Sequence, residues 1–378
     1  MDDKLTILLT INRCPEYTFR WMTYNNKIRF PFKIVIADGG QDKTVFDILS
    51  NYKNFPNLDY KYVHYKESGR LSEFFYRVNH ALTYVDTTYV LKAANDDFFL
   101  VEGIRKALSF LHTHPGYSSS RGEIYDFCVT GASEARYNSV YGYITYFKQF
   151  NPESSIVEDT AIKRIRHSCA NICVAWYDIY RTDQLKKYHQ ILHKLNPADI
   201  FFNARITDFL TVAEGKINRE DSLFMLHQAN QLQGEAAAFF KQFPTYKSWM
   251  QSATWQRDFN NFIQAVAESV SVKDVISPEE AGRQFAEMFH KLYLAPRLAQ
   301  DKQKGQNKSR PADFLKEPLK DIVQKLNYDH LIRKAFTATV SFRHRQISNS
   351  LLKSSKYRKD LDSIIKFLAK SPESVVYI

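Results

Sequence analysis

Residues Thr88–His114 read TYVLKAANDDFFLVEGIRKALSFLHTH. Their reading decides the fold. TYVLKAAN is a run of aliphatic, aromatic and β-branched residues and predicts a strand. GIRKALSFLHTH predicts a helix. The adjacent carboxylates Asp96 and Asp97 lie between them. Asp is rarely buried unless it is paired or bound to a cation. Two carboxylates side by side also repel, which raises a pKa unless positive charge intervenes. The pair therefore marks either a solvated turn or a cation site at a strand end.

The same alternation repeats toward the N-terminus. KLTILLTI (Lys4–Ile11) predicts a strand, and NRCPEYTFRWMTYNNK a helix with Pro15 near its start. FKIVIADGG (Phe32–Gly40) predicts a second strand, ending in Asp38 and two glycines. DKTVFDILSNY is helical in its spacing of Val45, Ile48 and Leu49. YKYVHY (Tyr60–Tyr65) and LSEFFYRVNHALTYV (Leu71–Val85) continue as strand and helix. Such alternation predicts a parallel, doubly wound α/β sheet. Ligands of such sheets sit beyond the carboxyl ends of the strands. Asp38 and Asp96/Asp97 both fall there.

Further along, YDFCVTG, YGYITYF and NICVAWYDIYR read as strands, and after residue 182 the chain reads as mostly helical. Ser277-Pro278-Glu279-Glu280 is a helix start, with a capping Ser and Pro in the first turn. DKQKGQNKSRP (Asp301–Pro311) has no apolar residue and reads as a linker. We divide the chain into an α/β nucleotide-binding unit over 1–228 and a helical C-terminal unit with a basic tail over 229–378.

Hydrophobic content of 44% and charged content of 25% suit a globular protein with a real core. The net charge is +11, and residues 301–378 account for +9 of it, so the basicity belongs to the tail. That placement argues against nucleic-acid binding by the whole chain, and none is expected. Cys14, Cys128, Cys169 and Cys173 are too few for a disulfide framework and are expected to be reduced thiols. MDDKLTILLTINR lacks a basic start, and no run approaches the ~18 apolar residues of a membrane-spanning helix. A cytoplasmic protein is expected.

Four of these elements, TINRCPEY, IVIADGGQDKT, FFYRVNHAL and TYVLKAANDDFFLVEGI, occur in the order seen in family 2-type glycosyltransferases of the GT-A fold, and the chain resembles that family over residues 4–115. The closer resemblance is to a bacterial subgroup of polysaccharide glycosyltransferases whose acidic motif has the form NDDFF. Tyr180-Arg181-Thr182 and the Gly215-Lys216 pair, expected to lead into a helix, extend it. The resemblance implies a Rossmann-like nucleotide-sugar-binding sheet and transfer from a nucleotide sugar, most simply a UDP-sugar, to a surface-glycan or lipid-linked saccharide. It places Thr10, Asn12, Arg13, Asp38, Gly39, Arg77, Asn79 and Asp96 around the nucleotide sugar. It places Asp97, with Asp96, on Mn2+ or Mg2+. These are hard cations that take oxygen ligands and often use one or two carboxylates plus substrate phosphate. Asn95 stands where the commoner motif has a first Asp. Arg77 and Asn79 are two residues apart and cannot share one helical face.

An inverting transferase needs a carboxylate base for the acceptor hydroxyl. ADIFFNARITDFLTVAEGK offers Asp199, Asp208 and Glu214, and VEDTAIKR offers Glu158 and Asp159. Asp208, mid-helix among apolar neighbours, is the first candidate and Asp159 the second. The other outcome for Asp208 is pairing with Arg205, three residues earlier. Lys216 after Gly215 reads as a helix-terminal cation, and Arg181 as a strand-end surface Arg. In the tail, Leu361, Ile364, Ile365 and Leu368 form a stripe flanked by Lys353, Lys356, Arg358, Lys359, Lys366 and Lys370. That helix either packs on its own domain or lies peripherally on an anionic inner-membrane surface. The alternative to an enzyme is a non-catalytic, transferase-like protein that binds a nucleotide or, through its tail, nucleic acid.

Overall fold

The computed structural model describes residues 1–66, 70–130, 139–150, 154–171, 173–198, 200–229, 241–307 and 357–369. The alternation read from the sequence forms as β1 (Leu5–Ile11), α1 (Pro15–Ile28), β2 (Lys33–Asp38), α2 (Lys43–Ser50), β3 (Tyr60–His64), α3 (Leu71–Ala81) and β4 (Tyr89–Ala94). The four strands are parallel neighbours in the order β3-β2-β1-β4. β1 is buried on both faces, which is why LTILLTI is predominantly apolar rather than alternating. On one face Leu8, Val35 and Val90 pack with Val78 of α3. On the other, Leu5, Ile7 and Leu9 pack with Ile34, Ile36, Leu91 and Trp21 of α1. Helices therefore cover both sides, and the fold is α/β and Rossmann-like.

The chain continues through β5 (Phe98–Phe99), α4 (Val101–Thr113), β6 (Tyr117–Thr130), β7 (Tyr143–Gln149), α5 (Ala161–Ala170), β8 (Ile179–Arg181), α6 (Thr182–Leu195), α7 (Ile200–Glu214) and β9 (Lys216–Gln228). Beyond β4 the sheet becomes mixed. β8 is antiparallel to both β4 and β6, while β9 runs parallel to β6 and antiparallel to β5. β6 and β9 thus point the same way as β1, β2 and β4, and the end of β9 reaches the edge where β2 and β4 end.

Two expectations change here. Only Ile179–Arg181 of the run NICVAWYDIYR is strand, and residues 173–178 form a loop. KINREDSLFMLHQ, read as part of a helical region, is the 13-residue β9. Its centre is buried between β6 and β5, so it lacks the period of two that marks a half-exposed strand. Gly215-Lys216 accordingly leads into a strand, not a helix.

The C-terminal helices are α8 (Tyr246–Met250), α9 (Trp255–Asp274), α10 (Pro278–Met288), α11 (Ala295–Asn307) and α12 (Arg358–Leu368). Ser277 caps α10 by accepting from Glu280 N–H at 3.2 Å. Phe262 and Phe285, of α9 and α10, join Phe202 and Phe209 of α7 in the same cluster as Leu8 and Val90. The expected linker is helical through Asn307, and Asp301 accepts a hydrogen bond from Tyr246 N–H at 2.7 Å. Residues 308–311 lie outside the described residues.

The stripe of α12 is covered by the protein itself. Leu361, Ile364, Phe367 and Leu368 are buried against Tyr24, Phe98, Phe127 and Leu226. Burial of each such side chain stabilises by about 1.5–3 kcal/mol. Of the two outcomes open to this helix, packing on its own domain is the one formed. Lys353, Lys356 and Lys370 lie outside the described residues. Among the described residues, no helix is long and apolar enough to cross a membrane.

Candidate functional site

The carboxyl ends of β1, β2, β4 and β9 meet at one edge. Asp38, the last residue of β2, is 3% exposed. Its Oδ1 accepts from Gly40 N–H at 2.7 Å and its Oδ2 from the Tyr62 hydroxyl at 2.6 Å. Burial and the Asp38 charge hold the Tyr62 phenol well above its ordinary range. A carboxylate has about four lone-pair sites, so Asp38 keeps acceptor capacity for a ligand. Gly40 permits a close turn: a Cβ there would lie 2.7 Å from Asn12 O and 3.0 Å from Asp38 Oδ1. Asn12, Arg13, Asp38 and Gly40 line one small recess with Thr18 and Val45. Asn12 and Arg13 are exposed there, and Thr10 Oγ1 reaches Ala93 O at 3.4 Å. Gly39 N–H donates to Ile11 O at 2.9 Å, joining the ends of β1 and β2.

One strand, β1, separates Asp38 from the end of β4, a spacing of about 10 Å. The turn after β4 is fastened from below. Arg20, fully buried in α1, donates to Asp96 O at 2.6 Å and to Gln228 Oε1 at 2.7 Å. Burial lowers its pKa to about 10. Asn95 Nδ2 donates to Thr18 Oγ1 at 2.8 Å and to Arg13 O at 3.2 Å. An ionised Asp could not donate to those acceptors, so Asn95 at the first motif position is a brace for the loop after β1.

Asp96 is part-buried and Asp97 is 1% exposed. Asp97 Oδ1 accepts from Gln228 N–H at 3.1 Å, tying the turn to β9. Burial, then the charge of Asp96, pushes its carboxyl up to about 7. The preceding residue of β9, His227, places Nδ1 2.7 Å from Asp126 Oδ1. Burial opposes its charge, yet the Asp126 hydrogen bond and the charges of Asp97, Asp126 and Asp96 raise it to about 9. Tyr177 packs on His227 with ring centroids 5.9 Å apart.

His227 escaped the sequence reading because β9 did. Once SLFML is read as a buried strand, the following His falls at the carboxyl edge. Arg20 was hidden inside an apolar helix stretch.

The other expected residues have partners of their own within the protein. Arg77 is 2% exposed and donates to Ile11 O at 2.7 Å, bracing the end of β1. Asn79 is part-buried on another face of α3. Asp208 is 2% exposed: Oδ1 accepts from Ala175 N–H at 2.8 Å and Oδ2 pairs with Arg205 at 3.1 Å. The Arg205 pairing left open by the spacing is thus the one formed, and the carboxylate is closed in. Asp159 pairs with Lys216 at 2.9 Å, at the start of β9. His227 lies eleven residues further along that strand, on the order of 30 Å away. Asp159, the second candidate base, thus stands near the opposite end of β9 from His227. Asp199 lies outside the described residues.

Asp96 and Asp97 supply hard oxygen ligands, and the Tyr177 hydroxyl donates to the Asp97 carboxyl. No group of three or more His, Cys, Asp or Glu among those residues is arranged to hold a metal ion. Asp96 and Asp97 are the residues here that could hold Mg2+ or Mn2+.

No protein-family model matches the chain, and no curated protein matches it significantly. Solved structures overlap with it in part. S. aureus TarS 1–349 with UDP-GlcNAc is 15% identical, with a TM-score of 0.46, over 75% of this chain and 71% of that one. The same protein with UDP is 17% identical, with a TM-score of 0.44, over 78% and 92%. Mannosyltransferase PcManGT from Pyrobaculum calidifontis, with GDP-Man and Mn2+, is 12% identical, with a TM-score of 0.36, over 93% and 88%. Overlap at these scores carries no argument about the donor, acceptor or metal of this chain.

Proposed function

We propose that the protein is a glycosyltransferase that moves a sugar from a nucleotide donor, a UDP-sugar first among them, to a saccharide of a surface glycan or lipid-linked chain. The observation that carries this reading is the convergence of Asp38, Asp96/Asp97 and His227 from three strands at one sheet edge. Ligands of open α/β sheets bind at that edge, and a nucleotide diphosphate needs the groups found there. Asp38 accepts from base or ribose. Gly39 and Gly40 let the backbone approach the ligand. Arg13 faces the diphosphate, with Thr10 and Asn12 along the wall.

Asp96 and Asp97 would hold Mg2+ or Mn2+, which when bound neutralises charge on the departing nucleotide. His227 steadies the surplus of carboxylates through Asp126 and Asp97. The acceptor hydroxyl attacks the sugar carbon directly, with inversion, and its proton passes to a carboxylate base other than the distant Asp159.

Incubation with UDP-, GDP- and CMP-sugars, with Mn2+ or with EDTA, tests the reading through nucleotide release measured chromatographically. Release from one donor class, stimulated by a saccharide acceptor, is expected. No release from any donor by folded protein, with or without acceptor, would contradict it.

A further inference from the structure

Trp176 belongs to neither the donor recess nor the acidic turn, and it packs on Phe74 and Lys92. It sits in the loop of residues 173–178, next to Tyr177, which packs on His227 at the donor edge. The chain has four tryptophans. Trp21, Trp249 and Trp255 are buried, whereas Trp176 is part-exposed. Phe74 of α3, also part-exposed, stacks beside it with centroids 6.3 Å apart and an interplanar angle of 22°. Arg77 holds Phe74 in turn, with its guanidinium 5.3 Å from that ring, while bracing the end of β1.

The loop is held firmly for one that carries part-exposed aromatic residues. Ala175 N–H donates to Asp208, and Ala175 O accepts from the Tyr180 hydroxyl and, at 2.9 Å, from Asp178 N–H. The Asp178 carboxylate is fully buried between Arg121, at 3.1 Å, and Arg219, at 2.9 Å. Beneath the indole, Lys92 places Nζ 3.9 Å from the ring centroid. Two buried carboxylates and a buried lysine thus fix one part-exposed indole on both sides in sequence and from below. A rotamer fixed in advance loses little entropy when a ligand covers it.

We infer that Trp176, with Phe74 alongside, is the shelf on which a pyranose of the saccharide acceptor stacks, with Asp208 and Asp178 as positioning residues. This rests on the transferase reading above. The CH face of a pyranose with equatorial hydroxyls is apolar and carries partial positive charge, which matches the negative face of an aromatic ring. The acceptor class is therefore a glycan whose terminal sugar presents such a face, of the gluco or N-acetylglucosamine type.

The probe is a tetramer of N-acetylglucosamine, titrated into full-length protein while tryptophan emission is followed, with UDP or GDP present and absent. Because the other three tryptophans are buried, stacking changes mainly the emission of Trp176. A saturable change is expected in wild type, absent in Trp176→Ala. Calorimetry of the same probe is expected to give roughly tenfold weaker binding for Trp176→Ala and near-native binding for Trp176→Phe. Nucleotide affinity is expected to be equal in all three. Nucleotide binding without any saccharide-dependent change would overturn the shelf and leave the donor reading standing. Equal saccharide affinity in wild type and Trp176→Ala would overturn it as well. Failure of both nucleotide and saccharide to bind would remove the donor reading first, and the shelf with it.

Discussion

Asp208 Oδ1 accepts the backbone N–H of Ala175 at 2.8 Å, and the next residue is the part-exposed Trp176. A mid-helix carboxylate thus holds a loop and pairs with Arg205. Removing one partner of a buried pair costs about 3–5 kcal/mol. Asp208→Ala is expected to lower unfolding stability by about that much, because Arg205 loses its counter-ion. Denaturant melts measure this directly. Unchanged stability with a large loss of turnover would instead make Asp208 the base.

Asp97 has the opposite energetic sign. Its folded-state pKa of about 7 lies above the ordinary 3.8, so the folded state prefers the protonated form. That preference is fully present below the unfolded value and is lost as pH rises from about 4 through about 7. Asp97→Asn cannot ionise. It is expected to exceed wild type in stability by about 2 kcal/mol or more near pH 8, with the gap closing near pH 4. Melting curves across that range check it.

His227 shows the complementary dependence. Its pKa rises from 6.5 to about 9, against burial, through Asp126 and the neighbouring carboxylates. The stability it contributes is complete below the unfolded value and disappears as pH rises through about 9. His227→Gln is expected to be less stable than wild type by about 2 kcal/mol near pH 6, with the difference shrinking above pH 9. A pH-independent difference would contradict the pairing.

Leu361 tests the docking of α12. Its side chain is fully buried among residues of α1, β5, β6 and β9. Leu361→Ala is expected to cost about 2–5 kcal/mol, as core truncations do. Flotation with anionic vesicles is expected to leave the wild-type protein in solution. Co-flotation through α12 would require the helix to leave the sheet.

The parallel half of the sheet was legible because each of its elements declares itself. LTILLTI and IVIA are predominantly apolar runs, and Pro15 stands in the first turn of its helix. The mixed half was not. SLFML in β9 is apolar without a period of two, so it does not differ from a buried helix segment. Missing β9 also hid His227, and it hid that Asp159 pairs with the first residue of that strand. The positions of Asp38, Asp96 and Asp97 at the carboxyl edge were readable because each ends or closely follows an apolar strand. Asn95, Arg20 and Arg77 were not, because their partners are backbone carbonyls or side chains up to 208 positions away.

Gly40 probes the donor recess without removing a charge. A methyl group at 2.7 Å from Asn12 O must push the loops after β1 and β2 apart. Gly40→Ala is expected to weaken nucleotide binding by about tenfold, for a strain of about 1–3 kcal/mol. Equilibrium titration against wild type measures it.

The most direct test of the donor site is calorimetric titration of UDP, GDP and CMP, with and without Mn2+, into wild type and Asp97→Asn. The account predicts binding of one nucleotide, strengthened by Mn2+, and loss of that strengthening in Asp97→Asn while the variant stays folded. Equal binding by both proteins, or none by folded wild type, would contradict it.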